Sequence, residues 1–284
     1  VNATGPWSDR TPNSETELRL TKGVHLVIDA ARLPIPDAVV IAEDERILFA
    51  IPWGKRIILG TTDTDYNGPL DSPRCEHRDV EYVLDAVNDA FPELNLSPAD
   101  VISTWAGIRP LVADRNGNPS DISRRHEITM SQPGWWDVTG GKLTTYRLMA
   151  EETLDRIVSH LNIRAGRCTT AEIPLSGAEE GANGSQILPP DVNRDLVVHY
   201  CRNEWAVHLD DVMSRRTSWR FYHSDHFRIA EEVAAWMAEI LQWDQETRSQ
   251  EISRYKSVTE HSADLFDGRN RRVDAGELSS NEVR

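Results

Sequence analysis

Cysteine, long apolar runs and positive charge are all scarce in this 284-residue chain, and each scarcity removes a class of protein. Its three cysteines, Cys75, Cys168 and Cys201, are odd in number and far apart. That pattern fits neither a zinc site nor a disulfide framework and suits structural thiols in a reducing compartment. No stretch approaches the roughly 20 consecutive apolar residues of a membrane-spanning helix, and no secretory signal is visible. Lys and Arg total 31 against 46 Asp and Glu, a formal net charge of -15. A nucleic-acid partner is thereby disfavoured, because displacing counterions from phosphates needs a broad basic surface, whereas local basic groups can still hold one small phosphate. Internal repeats are also lacking. With 39% hydrophobic residues, the chain can bury one sizeable core and a smaller second one.

The patterning predicts an α+β organisation. Short β-rich runs at Val24–Ile28, Ala38–Ile41, Ile47–Ile51 and Arg56–Leu59 alternate with turn residues, as in an antiparallel sheet with one buried face. Val80, Val83, Leu84, Val87, Ala90 and Phe91 mark an amphipathic helix that Pro92 ends, and β-rich sequence resumes from Val101 to Val138. Gly140-Gly141 precede a helix traced by Tyr146, Met149, Ala150, Leu154, Ile157, Val158 and Leu161. The segment IPLSGAEEGANGSQILPPDV, residues 173–192, reads as a linker. Val197, Cys201, Trp205, Leu209 and Val212 trace one further helix and Ile229, Val233, Trp236, Met237 and Leu241 another, with the aromatics expected in the core. From His261 onward the composition predicts a poorly ordered tail.

Several residues suit chemistry. Gly-Gly followed by Lys142, Leu143, Thr144 and Thr145 offers unpaired backbone amides to an anionic or electron-rich group, although a plain strand-to-helix turn has the same pattern. In KGVHLVI, Val24, Leu26 and Ile28 share one side of a strand and His25 takes the other. A histidine there can accept a proton at neutral pH, or it can be an ordinary polar-face residue. Pro110 keeps Arg109 on extended backbone, a firm support for a guanidinium that matches phosphate oxygens with two parallel donors. Asp63 and Asp65 fit turn-capping better than paired catalytic carboxylates. His208, Asp210 and Asp211 lack the further ligand that a metal cluster would need.

The ordered segments VNATGPWSD (1–9), KGVHLVI (22–28), IPWGKRIILGTTDTDY (51–66), STWAGIRPL (103–111), GGKLTTYR (140–147) and HLDDVMSRRT (208–217) together resemble the FAD-dependent glycerol-3-phosphate dehydrogenase family. That family lies within the larger group of flavin amine and hydroxy-acid oxidoreductases. The resemblance implies oxidation of sn-glycerol 3-phosphate to dihydroxyacetone phosphate, with FAD as electron sink and a quinone as onward acceptor. It implies that Arg109, Arg124 (or Arg125, the register being open by one residue) and Lys142 bind the substrate phosphate and polarise the reacting hydroxyl, which makes Arg109 and Lys142 catalytic as well, with a proton acceptor at or near His25. Gly141, Lys142, Leu143, Thr144 and Thr145 would lie beside the isoalloxazine ring, and Ala3, Thr4 and Gly5 beside the adenine-side half of the cofactor.

The implied architecture is an antiparallel substrate-binding sheet with remnants of a Rossmann-like FAD domain and a small all-α C-terminal domain. Its segments are the end of the FAD domain (1–20), the β-rich domain (21–138), a returning FAD-domain helix (139–165), a linker (166–192), the helical domain (193–260) and the tail (261–284). A G-x-G-x-x-G fingerprint, which lets backbone amides approach a pyrophosphate, is missing. The expectation is therefore a piece of a longer protein, inactive by itself, with exposed apolar area on the returning helix. The family further implies a cytoplasmic protein, with peripheral contact at the inner face of the membrane and homodimerisation both compatible. An oxygen-using oxidase and a non-catalytic interaction module remain as alternative readings.

Overall fold

The computed structural model describes residues 1–43, 46–112, 126–174 and 188–259. They form two compact units, one from the described residues of Val1–Gly23, Asp63–Pro73 and Ala106–Ser185, the other from those of Val24–Thr62, Arg74–Trp105 and Gln186–Arg284. Two long strands, β1 (Leu18–Asp29) and β6 (Val101–Val112), pair with each other and contribute residues to both.

In the first unit, β5 (Thr64–Asp65) pairs antiparallel with the start of β1, Thr21 facing Asp65 and Lys22 facing Thr64. An antiparallel hairpin of β7 (His126–Gln132) and β8 (Trp135–Gly140) carries a bulge between Met130 and Gln132. Helix α2 (Tyr146–Leu161) is tied to this hairpin by Arg156, which donates to the Ile128 carbonyl at 2.5 Å, and by His126 against Glu152 at 2.7 Å. Asn162, in the left-handed conformation, ends it. The expected apolar exposure is present: Leu148, Leu154 and Leu161 all lie open to solvent. A short 3-10 turn, Leu143–Thr145, stands between the paired glycines and α2, so the amides that follow the glycines lead that turn and not the long helix itself.

In the second unit, β2 (Val39–Glu43), β3 (Arg46–Trp53), β4 (Arg56–Gly60) and the end of β1 make an antiparallel sheet in the order β2-β3-β4-β1. Alternation puts Leu26, Ile28, Ile41, Leu48, Ala50, Ile57 and Leu59 in the core. Helix α1 (His77–Ala90), capped by the reciprocal Glu76 and Asp79 bonds, supplies Val80, Val83, Leu84 and Val87 to the core. The expectation of a single buried face needs correction. Val27 is also fully buried, on the side opposite Leu26, so β1 is covered on both faces at this point. Farther along that second face Val40, Phe49 and Ile51 are exposed.

The same unit contains a helical subdomain: α3 (Arg194–Asn203), a π-helical turn at Asp211–Arg216, α4 (Trp219–Tyr222), α5 (His226–Leu241) and α6 (Gln245–Thr259). Its core joins Val197, Tyr200, Leu209, Met213, Trp219, Val233, Met237 and Tyr255, and each such large side chain contributes about 1.5–3 kcal/mol through burial. The single helix expected across residues 197–212 is broken. After Asn203 the Ala206 amide closes back on the Tyr200 carbonyl at 3.1 Å, with Trp205 at φ +59 between them. This helix-ending loop puts Trp205 outside, 85% exposed, where core burial was expected. Among the described residues no helix is long and apolar enough to cross a membrane. The tail at 261–284 and most of the glycine-rich linker lie outside the described residues.

Candidate functional site

Arg109, in the first unit, owes its place to a missing side chain. A Cβ added to Gly23 would lie 2.3 Å from Arg109 Nη2 and 2.5 Å from Nη1, so the guanidinium rests on bare β1 backbone. Asp63 stands 3.4 Å from Nη1. Two residues on, Asp65 takes Arg19 at 2.6 Å; that hydrogen bond holds the Asp65 carboxyl below its ordinary range. The acidic pair of the GTTDTDY segment is thus engaged by arginines and forms no carboxylate dyad. Lys22 is buried on the same strand.

The two predicted cofactor segments of this unit meet at one strand. Asn2 lies beside β8, its amide donating to the Trp136 carbonyl at 2.7 Å and its carbonyl accepting from Val138 at 2.8 Å. Its buried carboxamide donates to Asp137 at 2.6 Å, Thr11 at 2.8 Å and the Ser8 carbonyl at 3.0 Å, and accepts from the Thr4 hydroxyl at 2.7 Å. Ala3 and Thr4 are thereby held exposed, just before the 3-10 helix Gly5–Arg10. Burial pushes the Asp137 carboxyl up, but hydrogen bonds from Ser131, Asn2, Trp135 and Ser14 outweigh it and keep the group low.

The same strand ends at Gly140 and Gly141 follows it, at φ +69 and +80, a conformation that glycine adopts without strain. A Cβ on Gly141 would lie 2.6 Å from Met149 Sδ and 3.1 Å from His126 Cβ. Lys142 then opens the 3-10 turn, its amide donating to Thr145 Oγ1 at 3.3 Å and its carbonyl accepting from that hydroxyl at 2.9 Å. The amides of Leu143 and Thr144 lead the turn and have no partner within it, while the Leu143 side chain is 88% exposed. Bare glycine backbone, leading amides and an adjacent ammonium suit the electron-rich edge of a flavin ring.

His25 belongs to the second unit, on β1 opposite Gly60. A Cβ on Gly60 would lie 2.7 Å from His25 Cδ2 and 2.9 Å from the Val24 carbonyl oxygen. The imidazole stacks on Trp105 with ring centres 5.0 Å apart and planes 18° apart. Arg124 and Arg125 lie outside the described residues. His208 and Asp211, singled out for metal spacing, serve the fold: His208 pairs with Glu251 at 2.8 Å, and Asp211 accepts from the Val207 and His208 amides. Asp210 takes Arg215 and Arg254.

Sequence reasoning missed Gly23, Gly60, Lys22 and Trp105. Glycines inside β-rich runs were an available signal, since they mark close approach of another group. Burial of Lys22 and the stacking of Trp105 leave no mark in the local sequence.

Residues 1–156 match the family model described as FAD dependent oxidoreductase, and residues 189–248 match the C-terminal domain of alpha-glycerophosphate oxidase. The chain belongs to the FAD-dependent oxidoreductase family. The aerobic glycerol-3-phosphate dehydrogenase of Bacillus subtilis (strain 168) is 41% identical over 193 residues, covering 64% of this chain and 35% of the relative. The enzyme of that name from Staphylococcus saprophyticus is 38% identical over 196 residues, covering 65% and 35%. The solved glycerol-3-phosphate dehydrogenase from Bacillus halodurans, complexed with FAD, shares 30% identity and a TM-score of 0.73 across 90% of this chain and 60% of its own. The resemblance carried by the ordered motifs and the α+β fold both agree with these matches. The chain spans about a third of the length of the curated relatives it matches.

Proposed function

We propose that this chain is the substrate-side portion of an FAD-dependent glycerol-3-phosphate dehydrogenase. The observation that carries the reading is Arg109, a guanidinium seated on the bare backbone of Gly23, in a chain whose relatives bear that enzyme's name. Arg109 binds the substrate phosphate through parallel charge-assisted donors, with Lys142 adding a second cation and Arg124 a third. Proximity and orientation come from these contacts, which fix the three-carbon ester before reaction. His25 takes the proton of the C2 hydroxyl as the carbonyl forms. A bound flavin would supply the acceptor for the C2 hydrogen and its two electrons. Gly141 to Thr145 would hold its ring edge with amides, and Ala3, Thr4 and Gly5 would border its adenine-side half. Electrons pass on to a quinone, from a cytoplasmic protein in peripheral contact with the inner face of the membrane.

The test is anaerobic addition of sn-glycerol 3-phosphate to the protein expressed from its complete reading frame. Flavin absorbance should bleach, and dihydroxyacetone phosphate should accumulate in proportion; an unbleached spectrum rejects the substrate. The match of residues 189–248 to an oxidase domain favours a second reading, with oxygen as acceptor. Peroxide release at turnover rates with oxygen alone would select it over the quinone.

A further inference from the structure

We infer that the helical subdomain positions His25, through an aromatic relay of Phe221 and Trp105. The inference rests on the reading of His25 as the proton acceptor and gives the C-terminal helices a part in that step. Trp105 carries the imidazole on one face and meets the ring of Phe221 edge-on, at 5.2 Å and 60°. On the sheet side, Gly60 leaves no side chain between its backbone and the imidazole. The ring is therefore confined by Gly60 and Trp105, and Trp105 is confined in turn by α4.

The four residues of α4 are anchored on several sides. Trp219 is buried in the helical core and its indole N–H donates to the Pro190 carbonyl at 2.6 Å. Ser103, two residues before Trp105 on β6, donates its hydroxyl to the Phe221 carbonyl at 2.7 Å. The Tyr222 hydroxyl accepts the Lys55 amide at 3.0 Å, and its carbonyl accepts Arg56 Nε at 2.8 Å. The Tyr222 ring lies edge-on to Trp53 at 5.0 Å, and a Cβ on Gly54 would come within 2.7 Å of its hydroxyl. Neither Phe221 nor Trp105 belongs to the hydrophobic core of the helical subdomain; both are half-buried. Their ring contacts lead from α4 to His25, which a core-filling role would not require. Phe221 and Trp105 are positioning residues, and His25 is the group they orient.

Phe221→Leu keeps apolar bulk and removes the aromatic edge; Phe221→Ala removes both, and Phe221→Tyr retains the ring. Histidine-labelled 284-residue chain is followed by NMR, the His25 ring signals being identified by their loss in His25→Gln. In Phe221→Leu these signals should lose the upfield shift that stacking on Trp105 imposes, and in Phe221→Tyr they should keep it. In the protein from the complete reading frame, kcat should fall about tenfold or more, as expected when a proton acceptor is misaligned, while KM for glycerol 3-phosphate stays within about threefold. His25 signals that stay in place in both the Leu and Ala variants overturn the inference whatever the kinetics. Signals that move while kcat holds keep the relay and instead remove His25 from the proposed chemistry.

Discussion

Gly23→Ala tests the seat of Arg109 with a single methyl group. The new Cβ would stand 2.3 Å from Nη2, 2.5 Å from Nη1 and 2.6 Å from Cζ, whereas ordinary contact begins at 3.4 Å. The guanidinium must therefore retreat by about 1 Å, enough to cost on the order of 10²-fold when a group has to meet its target in register. Folding should not suffer comparably. The clashing atoms are the far end of a flexible side chain that is 32% exposed, and alanine is preferred over glycine in a strand interior by about 0.5–1 kcal/mol. In the protein from the complete reading frame, kcat/KM for glycerol 3-phosphate should drop about tenfold to a hundredfold with an unchanged melting temperature. Glycerol, which lacks the phosphate, should be turned over no worse than by the parent. A loss below threefold, or an equal loss for both substrates, would show that Arg109 does not grip the phosphate from this seat.

Three further changes probe the framework. Asn2→Ala leaves the fully buried Asp137 short of a donor and unties Thr4, Ser8 and Thr11, which should cost about 2–3 kcal/mol in urea unfolding; a cost under 1 kcal/mol contradicts the hub. Gly141→Ala combines the strain of φ +80 with a contact of 2.6 Å to Met149, so a loss of about 1–3 kcal/mol in thermal unfolding is expected, with weaker FAD retention in the complete protein; full retention would detach this turn from the cofactor. Burial, helped by the Arg220 charge, lowers the His226 pKa to about 4 beside the Tyr255 hydroxyl at 2.9 Å. The unfolded chain protonates first, near pH 6.5, so stability is complete above that value, falls down to about pH 4 and levels off below. The shift corresponds to about 3 kcal/mol, nearer 2 once residual solvent is counted, and His226→Gln should flatten that part of the pH-stability curve.

The strands β1 to β4, α1, α2 and α5 were legible because side-chain periodicity is a direct image of which face is buried. The same reasoning failed at Trp205. Val197, Cys201, Trp205, Leu209 and Val212 recur at helical spacing, yet periodicity is silent about backbone closure, and the Ala206 amide turning back to Tyr200 ends the helix before Trp205 could join its face. The one-sided reading of β1 failed for a visible reason: Leu26, Val27 and Ile28 run without alternation, the pattern of a strand covered on both faces. For the candidate site, residue types and local support were readable in AGIRPL and KGVHLVI. The partners were not. Gly23 under Arg109, Gly60 under His25 and Phe221 against Trp105 are all pairings between segments distant in sequence, which no local pattern encodes.

The candidate site residues are positioned as much by omitted side chains as by present ones. Arg109 lies where Gly23 has no Cβ, His25 where Gly60 has none, and Met149 where Gly141 has none. The three omissions differ in what a methyl group would strike, and that difference separates positioning from folding. At Gly23 the three nearest atoms all belong to the guanidinium, which can swing away, so the damage should fall mainly on Arg109. At Gly60 it strikes the imidazole at 2.7 Å and also the Val24 carbonyl at 2.9 Å, a main-chain atom of β1 beside the His25–Gly60 pair that cannot yield without moving the strand. Substitution there should lower stability and displace His25 together, as close packing of backbone against backbone requires. The strand glycines thus grade from an omission that seats one side chain to one that also spaces the main chain, and the grading follows from whether a main-chain atom is among those a methyl group would strike.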